Sequence, residues 1–190
     1  STDGTPAVLK RYEGRIFLLK GPNAGVSAAR NAGIRASTGT HIAFLDHDDW
    51  WFKHHLQTHA EFIRLYPEAG FLCGNYIEQD RLQGYRRKKH FQRLRLYREL
   101  NFDAPLRIDP FRTLLRENVV GMPSAVVIRR DIVDRAGDFD PDQAVIEDYD
   151  YYLRCAPLTK FVLISKVLAY KITHATNISR NAALMGARHI

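Results

Sequence analysis

Three short stretches of this chain combine residue types and spacings that can do chemistry. The first is Asp46-His47-Asp48-Asp49, which ends the apolar run His41–Leu45, a sequence that reads as a strand. Along an extended segment side chains alternate, so Asp46 and Asp48 are expected on one side and His47 on the other. The carboxyl end of a strand is where open α/β sheets place their ligands. Two carboxylates two residues apart offer hard oxygen ligands to Mg²⁺ or Mn²⁺, and the cation can share its remaining positions with a diphosphate. The plainer reading is a strand-ending turn in which Asp49 caps the next helix. Both can hold together.

The second stretch is Asn23-Ala24-Gly25, followed by Arg30 and Asn31. Gly25 permits a tight turn and close approach of a ligand, and the helix that follows offers amides and the positive end of its dipole. Arg30 and Asn31 lie about one turn into that helix, within reach of a phosphate or base. Read alone, this is an ordinary strand-to-helix turn with an exposed arginine. The third stretch is Glu147-Asp148-Tyr149-Asp150. Read alone, it is an acidic helix start, favoured by the dipole.

The elements that must position these groups alternate between strand and helix. Thr5–Arg11 reads as the end of a helix, Arg15–Leu19 as a strand, and Val26 to Ser37 as a helix with Gly39 as its C-terminal glycine. Trp51 to Leu65 carries helical spacing and stops near Pro67, and Phe71–Ile77 is a third strand. A short helix is expected over Pro110–Arg116, a strand over Ser124–Arg129, and helices over Asp131–Ala136 and Glu147–Ala156. Strands Phe161–Ile164 and Val167–Ile172 follow. Repeated strand–helix–strand units predict an α/β fold with a mostly parallel sheet and helices on both faces. No strand precedes the first helical segment, so the expected sheet is N-terminally incomplete.

Composition is that of an ordinary globular domain: 190 residues, 45% hydrophobic, 26% charged. No apolar run approaches the roughly 18 residues of a membrane span. Cys73 and Cys155 lie in apolar stretches; they could pair, but two packed thiols are the safer reading and favour a reducing, cytoplasmic compartment. The net charge of +7 is concentrated between Arg81 and Arg98, where eight Lys/Arg occur without an acidic residue. That stretch could face a phosphate-bearing substrate, or an anionic membrane at its inner face, or simply solvent. Tyr85, Phe91 and Tyr97 interleave with it, but no base-reading motif accompanies it, so nucleic acid is the weakest of these readings.

The motifs gain weight in combination. Asn23-x-Gly25-x-x-x-Ala29-Arg30-Asn31, then Ala36-x-x-Gly39, then Phe44-Leu45-Asp46-His47-Asp48-Asp49-Trp50, resembles the GT-A glycosyltransferases of family 2. The likeness continues through Ser124–Arg130, Ala136-Gly137-Asp138-Phe139-Asp140, Glu147-Asp148 and Tyr170-Lys171-x-x-His174-x-x-Asn177-x-Ser179. It implies one GT-A domain, a Rossmann-like three-layer sandwich, with an incomplete nucleotide-sugar half over 1–80. A variable basic region over 81–118 and an acceptor-side half over 119–190 would follow. It also implies a nucleotide-sugar donor, a UDP-sugar for preference, with Mg²⁺ or Mn²⁺, and a saccharide or lipid-linked acceptor. By resemblance Asp48 ligates the metal, with Asp46 beside it and His174 touching metal or diphosphate. Asn23, Gly25 and Arg30 line the donor pocket, Asp148 is the base of an inverting transfer, and Glu147 orients acceptor or base. Trp50 and Trp51 could stack on sugar or base, though aromatics there usually pack on the sheet. The competing reading is a truncated, inactive GT-A domain serving as an interaction module.

Overall fold

The computed structural model describes residues 3–80, 84–96, 106–143 and 145–174. In chain order the elements are α1 (Thr5–Lys10), α2 (Gly25–Ala36), β1 (His41–Ala43), β2 (Trp50–Trp51), α3 (His55–Leu65) and β3 (Ala69–Asp80). Then come β4 (Tyr85–Lys89), α4 (His90–Arg93), β5 (Leu106–Ile108), α5 (Pro110–Arg116), β6 (Val126–Arg129), α6 (Arg130–Ala136), α7 (Glu147–Cys155) and β7 (Lys160–Thr173).

β3 and β7 form the spine of the sheet. Their near-continuous buried runs, Ala69–Tyr76 in β3 and Phe161–Ile164 in β7, are what a central strand covered on both faces requires. The sheet order is β1-β6-β3-β7-β2, with β4 added on β3 and β5 on β7. The α/β class holds, but the expected predominance of parallel pairing does not. β3 and β7 run parallel, from Ala69 opposite Lys160 to Asp80 opposite Thr173, whereas the other described pairs are antiparallel. The physical reason lies in the connections, since β6 is entered from a loop and a 3-10 turn at Pro123–Ala125 rather than from a crossover helix.

Alternation along β3 divides the core. Leu72 faces Val162, Ile164 and Leu168, a layer covered by Phe62 and Ile63 on α3 and by Tyr66 just after it. Phe71 and Cys73 face the larger core shared with α2, α6 and α7, where Phe71 stacks on Phe161 at 3.8 Å and meets Tyr152 edge-on. Cys73 and Cys155 are free and buried in this larger core, as the packed-thiol reading expects.

Four local expectations change, the first being that Phe161–Ile164 and Val167–Ile172 are not two strands but parts of one, β7. Arg15–Leu19 is not a strand; Phe17 is 82% exposed, and no described strand pairs with the segment. Apolar pattern alone cannot make a strand where the backbone has no neighbour. Gly39 is not the glycine that ends α2. The helix closes at Ser37, whose hydroxyl donates to the Ile34 carbonyl, and Arg130 donates to the carbonyls of Ile34, Ser37 and Gly39. Trp50 and Trp51 form β2 instead of opening α3, because their backbone pairs with Tyr170 and Ala169 of β7.

Gly121 is the position where the fold most plainly needs a glycine. Its φ is +81°, and an added Cβ would fall on the Tyr76 hydroxyl and 2.9 Å from the His90 ring, which stacks on Tyr76 at 4.4 Å. Gly121→Ala should therefore lower stability by about 1–3 kcal/mol, measured as a shift in the urea midpoint.

Candidate functional site

The site assembles where α2, the turn after β1, the start of α7 and the end of β7 converge. Its organising contact is Arg30. The guanidinium donates through Nη2 to both Asp46 oxygens at 2.9 and 3.0 Å and through Nη1 to Glu147 Oε1 at 2.8 Å. Its side chain is 9% exposed, and that of Glu147 12%. Burial works against the guanidinium charge, but the charges and hydrogen bonds of Asp46 and Glu147 outweigh it and hold Arg30 above its ordinary value. Planar, two-pronged donation of this kind suits arginine and not lysine.

Arg30 is aimed from below. Asn31, buried beside it, clamps the Phe139 backbone with two hydrogen bonds of 2.8 Å, donating to its carbonyl and accepting from its N–H. The Phe139 ring then lies 5.4 Å under the guanidinium and stacks on Tyr151 at 3.9 Å. So Asn31 acts on the protein itself, not on a ligand.

The acidic stretch is turned, not extended. The Asp49 N–H donates to the Asp46 carbonyl at 3.1 Å, and the expected shared face for Asp46 and Asp48 is lost. Asp46 is held by Arg30, while Asp48 Oδ2 meets His174 Nε2 at 3.0 Å. Asp49 does not cap α3, whose N-cap is His54. Instead it accepts from the Ser124 hydroxyl at 2.6 Å and from the Ile172 N–H at 3.2 Å. Ser124 Oγ in turn accepts from the Asp46 N–H at 3.0 Å. Burial, followed by the nearby charges of Asp46 and Asp48, pushes Asp49 up to about 6 against its hydrogen bonds. Asp49 and Ser124 thus fix the turn to β7 and to the start of β6.

Glu147 and Asp148 open α7, where the acidic first turn meets the positive end of the helix dipole. The residue before them, Ile146, has φ +65°. A β-branched residue in the left-handed region is strained, and such strain clusters where side chains must be aimed. Burial raises Asp148 to about 6, helped by the charge of Glu147 and opposed by the Tyr149 N–H, Arg30 and Lys171. A carboxyl poised near 6 beside a cation is suited to proton transfer near neutral pH.

The structure therefore joins Arg30, Asp46, Glu147 and Asp148 in one cluster and Asp48 with His174 in a contiguous one. Asn23 and Gly25 stand apart from both. Asn23 Oδ1 accepts from the Gly25 N–H at 3.2 Å in an exposed loop, and Gly25 has φ +85° with open space around it. Trp51 packs, donating to the Ser124 carbonyl at 2.7 Å and stacking on His55 at 4.2 Å, whereas Trp50 is 63% exposed. Of the basic stretch, Arg81, Tyr97 and Arg98 lie outside the described residues, as do the side chains of Tyr85, Arg86, Arg87 and Lys88. Asn177 and Ser179 lie outside them too. Among the described residues no three His, Cys, Asp or Glu side chains are grouped as a metal site, and no helix is long and apolar enough to cross a membrane. The sequence carries no distinctive signal for Ser124 or Ile146, a serine opening a strand and an isoleucine before an acidic helix, and it marks Asp49 only as a helix cap.

The chain is similar to known proteins in sequence and in fold. Over 87 residues the chain is 33% identical to Glycosyltransferase GlyA of Streptococcus pneumoniae, covering 44% of this chain and 12% of GlyA. Over 78 residues it is 37% identical to the Escherichia coli UDP-Glc:alpha-D-GlcNAc-diphosphoundecaprenol beta-1,3-glucosyltransferase WfgD, covering 40% of this chain and 30% of WfgD. The fold matches S. aureus TarS 1–349 with a TM-score of 0.66 at 20% identity, over 90% of this chain and 48% of that one. The chain thus spans half or less of the relatives it matches. The profile of the family described as Glycosyl transferase family 2 matches residues 1–136, and with the GT-A-type α/β fold this places the chain in glycosyltransferase family 2.

Proposed function

We propose that this chain carries the transfer site of an inverting enzyme that moves a sugar from a UDP-sugar to a hydroxyl of a lipid-linked or saccharide acceptor. The observation that carries the reading is the place of Asp148 at the start of α7, next to Glu147 and so tied through Glu147, Arg30 and Asp46 to the acidic turn. WfgD is named for a UDP-glucose donor and a diphosphoundecaprenol-linked acceptor, and TarS 1–349 has a structure in complex with UDP-GlcNAc. Both names agree with the donor and acceptor classes proposed.

The chemistry is one displacement. Asp148 takes the proton of the acceptor hydroxyl as its oxygen bonds to the anomeric carbon, and the bond from that carbon to the diphosphate breaks with release of UDP. Glu147, held by Arg30, fixes the first turn of α7 and so the place of Asp148. Asp48, with His174 beside it, would be the group to hold a divalent cation, since Mg²⁺ is commonly bound through one or two carboxylates together with substrate phosphates. Such a cation would neutralise charge on the departing diphosphate. Asp46 is engaged by Arg30 and serves the site by orienting that residue.

Three measurements test the reading. In calorimetric titration with UDP-sugars and Mn²⁺, Asp48→Ala should weaken donor binding about tenfold or more; unchanged affinity would remove Asp48 from the donor site. Asp148→Asn should lower kcat by about a hundredfold to ten-thousandfold with donor KM unchanged. The base works as the carboxylate, so kcat of the unmodified chain should decline as pH falls through about 6. A rate flat down to pH values near an ordinary aspartate would count against Asp148.

A further inference from the structure

Beside the proposed base stands a cation with no counterion of its own. Lys171 of β7 lies opposite Glu78 of β3, and Ala169 lies opposite Tyr76. Residues paired across neighbouring strands share a face, and Tyr76 and Ala169 belong to the larger core on which α7 packs. Glu78, Lys171 and Thr173 therefore project to the α7 side of the sheet. The Thr173 hydroxyl donates to Glu78 Oε1 at 2.9 Å, and Arg93 Nη1 donates to Glu78 Oε2 at 2.7 Å. Both oxygens are thus engaged. Lys171, half-buried, forms neither a hydrogen bond nor an ion pair among the described residues.

Its surroundings place this ammonium between the base and α4. Burial and Glu147 raise Asp148, and the Lys171 charge is among the groups that oppose them. Burial pushes the His90 ring down to about 4, and the charges of Arg93 and Lys171 add to that against its bond to the Val119 carbonyl. Tyr76, stacked on His90 at 4.4 Å, bounds the same space. Arg30, the other cation beside Asp148, is already taken by Asp46 and Glu147. The contact between Asp48 and His174, where the donor diphosphate is proposed to sit, lies three residues further along β7. That is about 10 Å along the strand, so Lys171 stands on the acceptor side. A half-buried ammonium without a counterion is costly, and a substrate anion would offset the cost.

We infer that Lys171 receives a phosphate of the acceptor, the one that carries the sugar whose hydroxyl faces Asp148. Lysine suits the task as a point charge on a flexible stem, able to follow a phosphate that is not held in one fixed plane. This role rests on the transferase reading above and narrows its acceptor class from saccharides at large to phosphate-linked ones.

The test is calorimetric titration of the chain with acceptor probes in the presence of saturating UDP and Mg²⁺, which fill the donor side. The probes are N-acetylglucosaminyl diphosphate, its decyl ester, and the uncharged methyl and decyl glycosides of the same sugar. Each diphosphate is compared with the glycoside of matching chain, and a preference of about tenfold or more is expected from one charge-assisted contact. Preference for both diphosphates identifies phosphate alone as the recognised group, and preference for the decyl ester alone identifies a lipid-linked phosphate; either supports the role of Lys171. Lys171→Met should abolish the preference with UDP affinity intact, and Lys171→Arg should keep most of it. If the methionine variant does not fold, Lys171→Gln decides. No preference in the unmodified chain, or an undiminished one in the neutral variant, overturns the inference. Failure of the unmodified chain to bind UDP would sink the transferase reading, and the probe preference is read in that case too. UDP binding without a phosphate preference sinks only the role of Lys171.

Discussion

A guanidinium buried between two carboxylates that belong to different parts of the chain is the constraint on which the site depends. Asp46 follows β1, and Glu147 opens α7, more than a hundred residues later. Arg30, 9% exposed, and Glu147, 12% exposed, could not sit there without opposite charge beside them, because unpaired charge in a poorly solvated site costs several kcal/mol, and Asp46 adds the second carboxylate from the half-exposed rim. The pairing therefore fixes α2, the acidic turn and α7 relative to one another. Asn31 and Phe139 make the arrangement stiff from the opposite side by clamping the loop that passes under the guanidinium.

That rigidity has a chemical consequence. Asp148 is raised by burial and by Glu147, and it would rise further without Arg30 and Lys171. Arg30 thus serves two ends at once: it neutralises Glu147, and it keeps the buried carboxyl within a range useful for accepting a proton near neutral pH. The second fixed point, Ser124 with Asp49, anchors the acidic turn to the ends of β6 and β7. With the turn held there, Asp48 and His174 are left to face each other at the rim.

Much of this was legible in the sequence, and what was not has identifiable causes. The helices Gly25–Ala36 and Glu147–Cys155 and the strands β3 and β7 follow from apolar periodicity and turn residues, and the ordered motifs named the family. Arg30, Asp46, Glu147 and Asp148 were each singled out, but as separate donor, metal and catalytic residues. Their union in one ion-paired cluster depends on a contact across more than a hundred residues, which no local pattern encodes. A face shared by Asp46 and Asp48 is a property of extended backbone, and here the Asp49 N–H closes a turn instead. Arg15–Leu19 has a strand's composition, yet strandedness is a property of pairs and not of segments. Sheet direction likewise hinges on how each strand is entered, which periodicity does not report.

The central claim is that Arg30 and Glu147 act as a unit in positioning the base, and a double-mutant cycle on transfer addresses it directly. Arg30→Lys, Glu147→Gln and the double variant would be compared by kcat under donor saturation. The account predicts strong non-additivity, the double variant being little worse than the worse single one, with a coupling of about 1 kcal/mol or more. Effects that simply multiply, as for two independent residues, would contradict it.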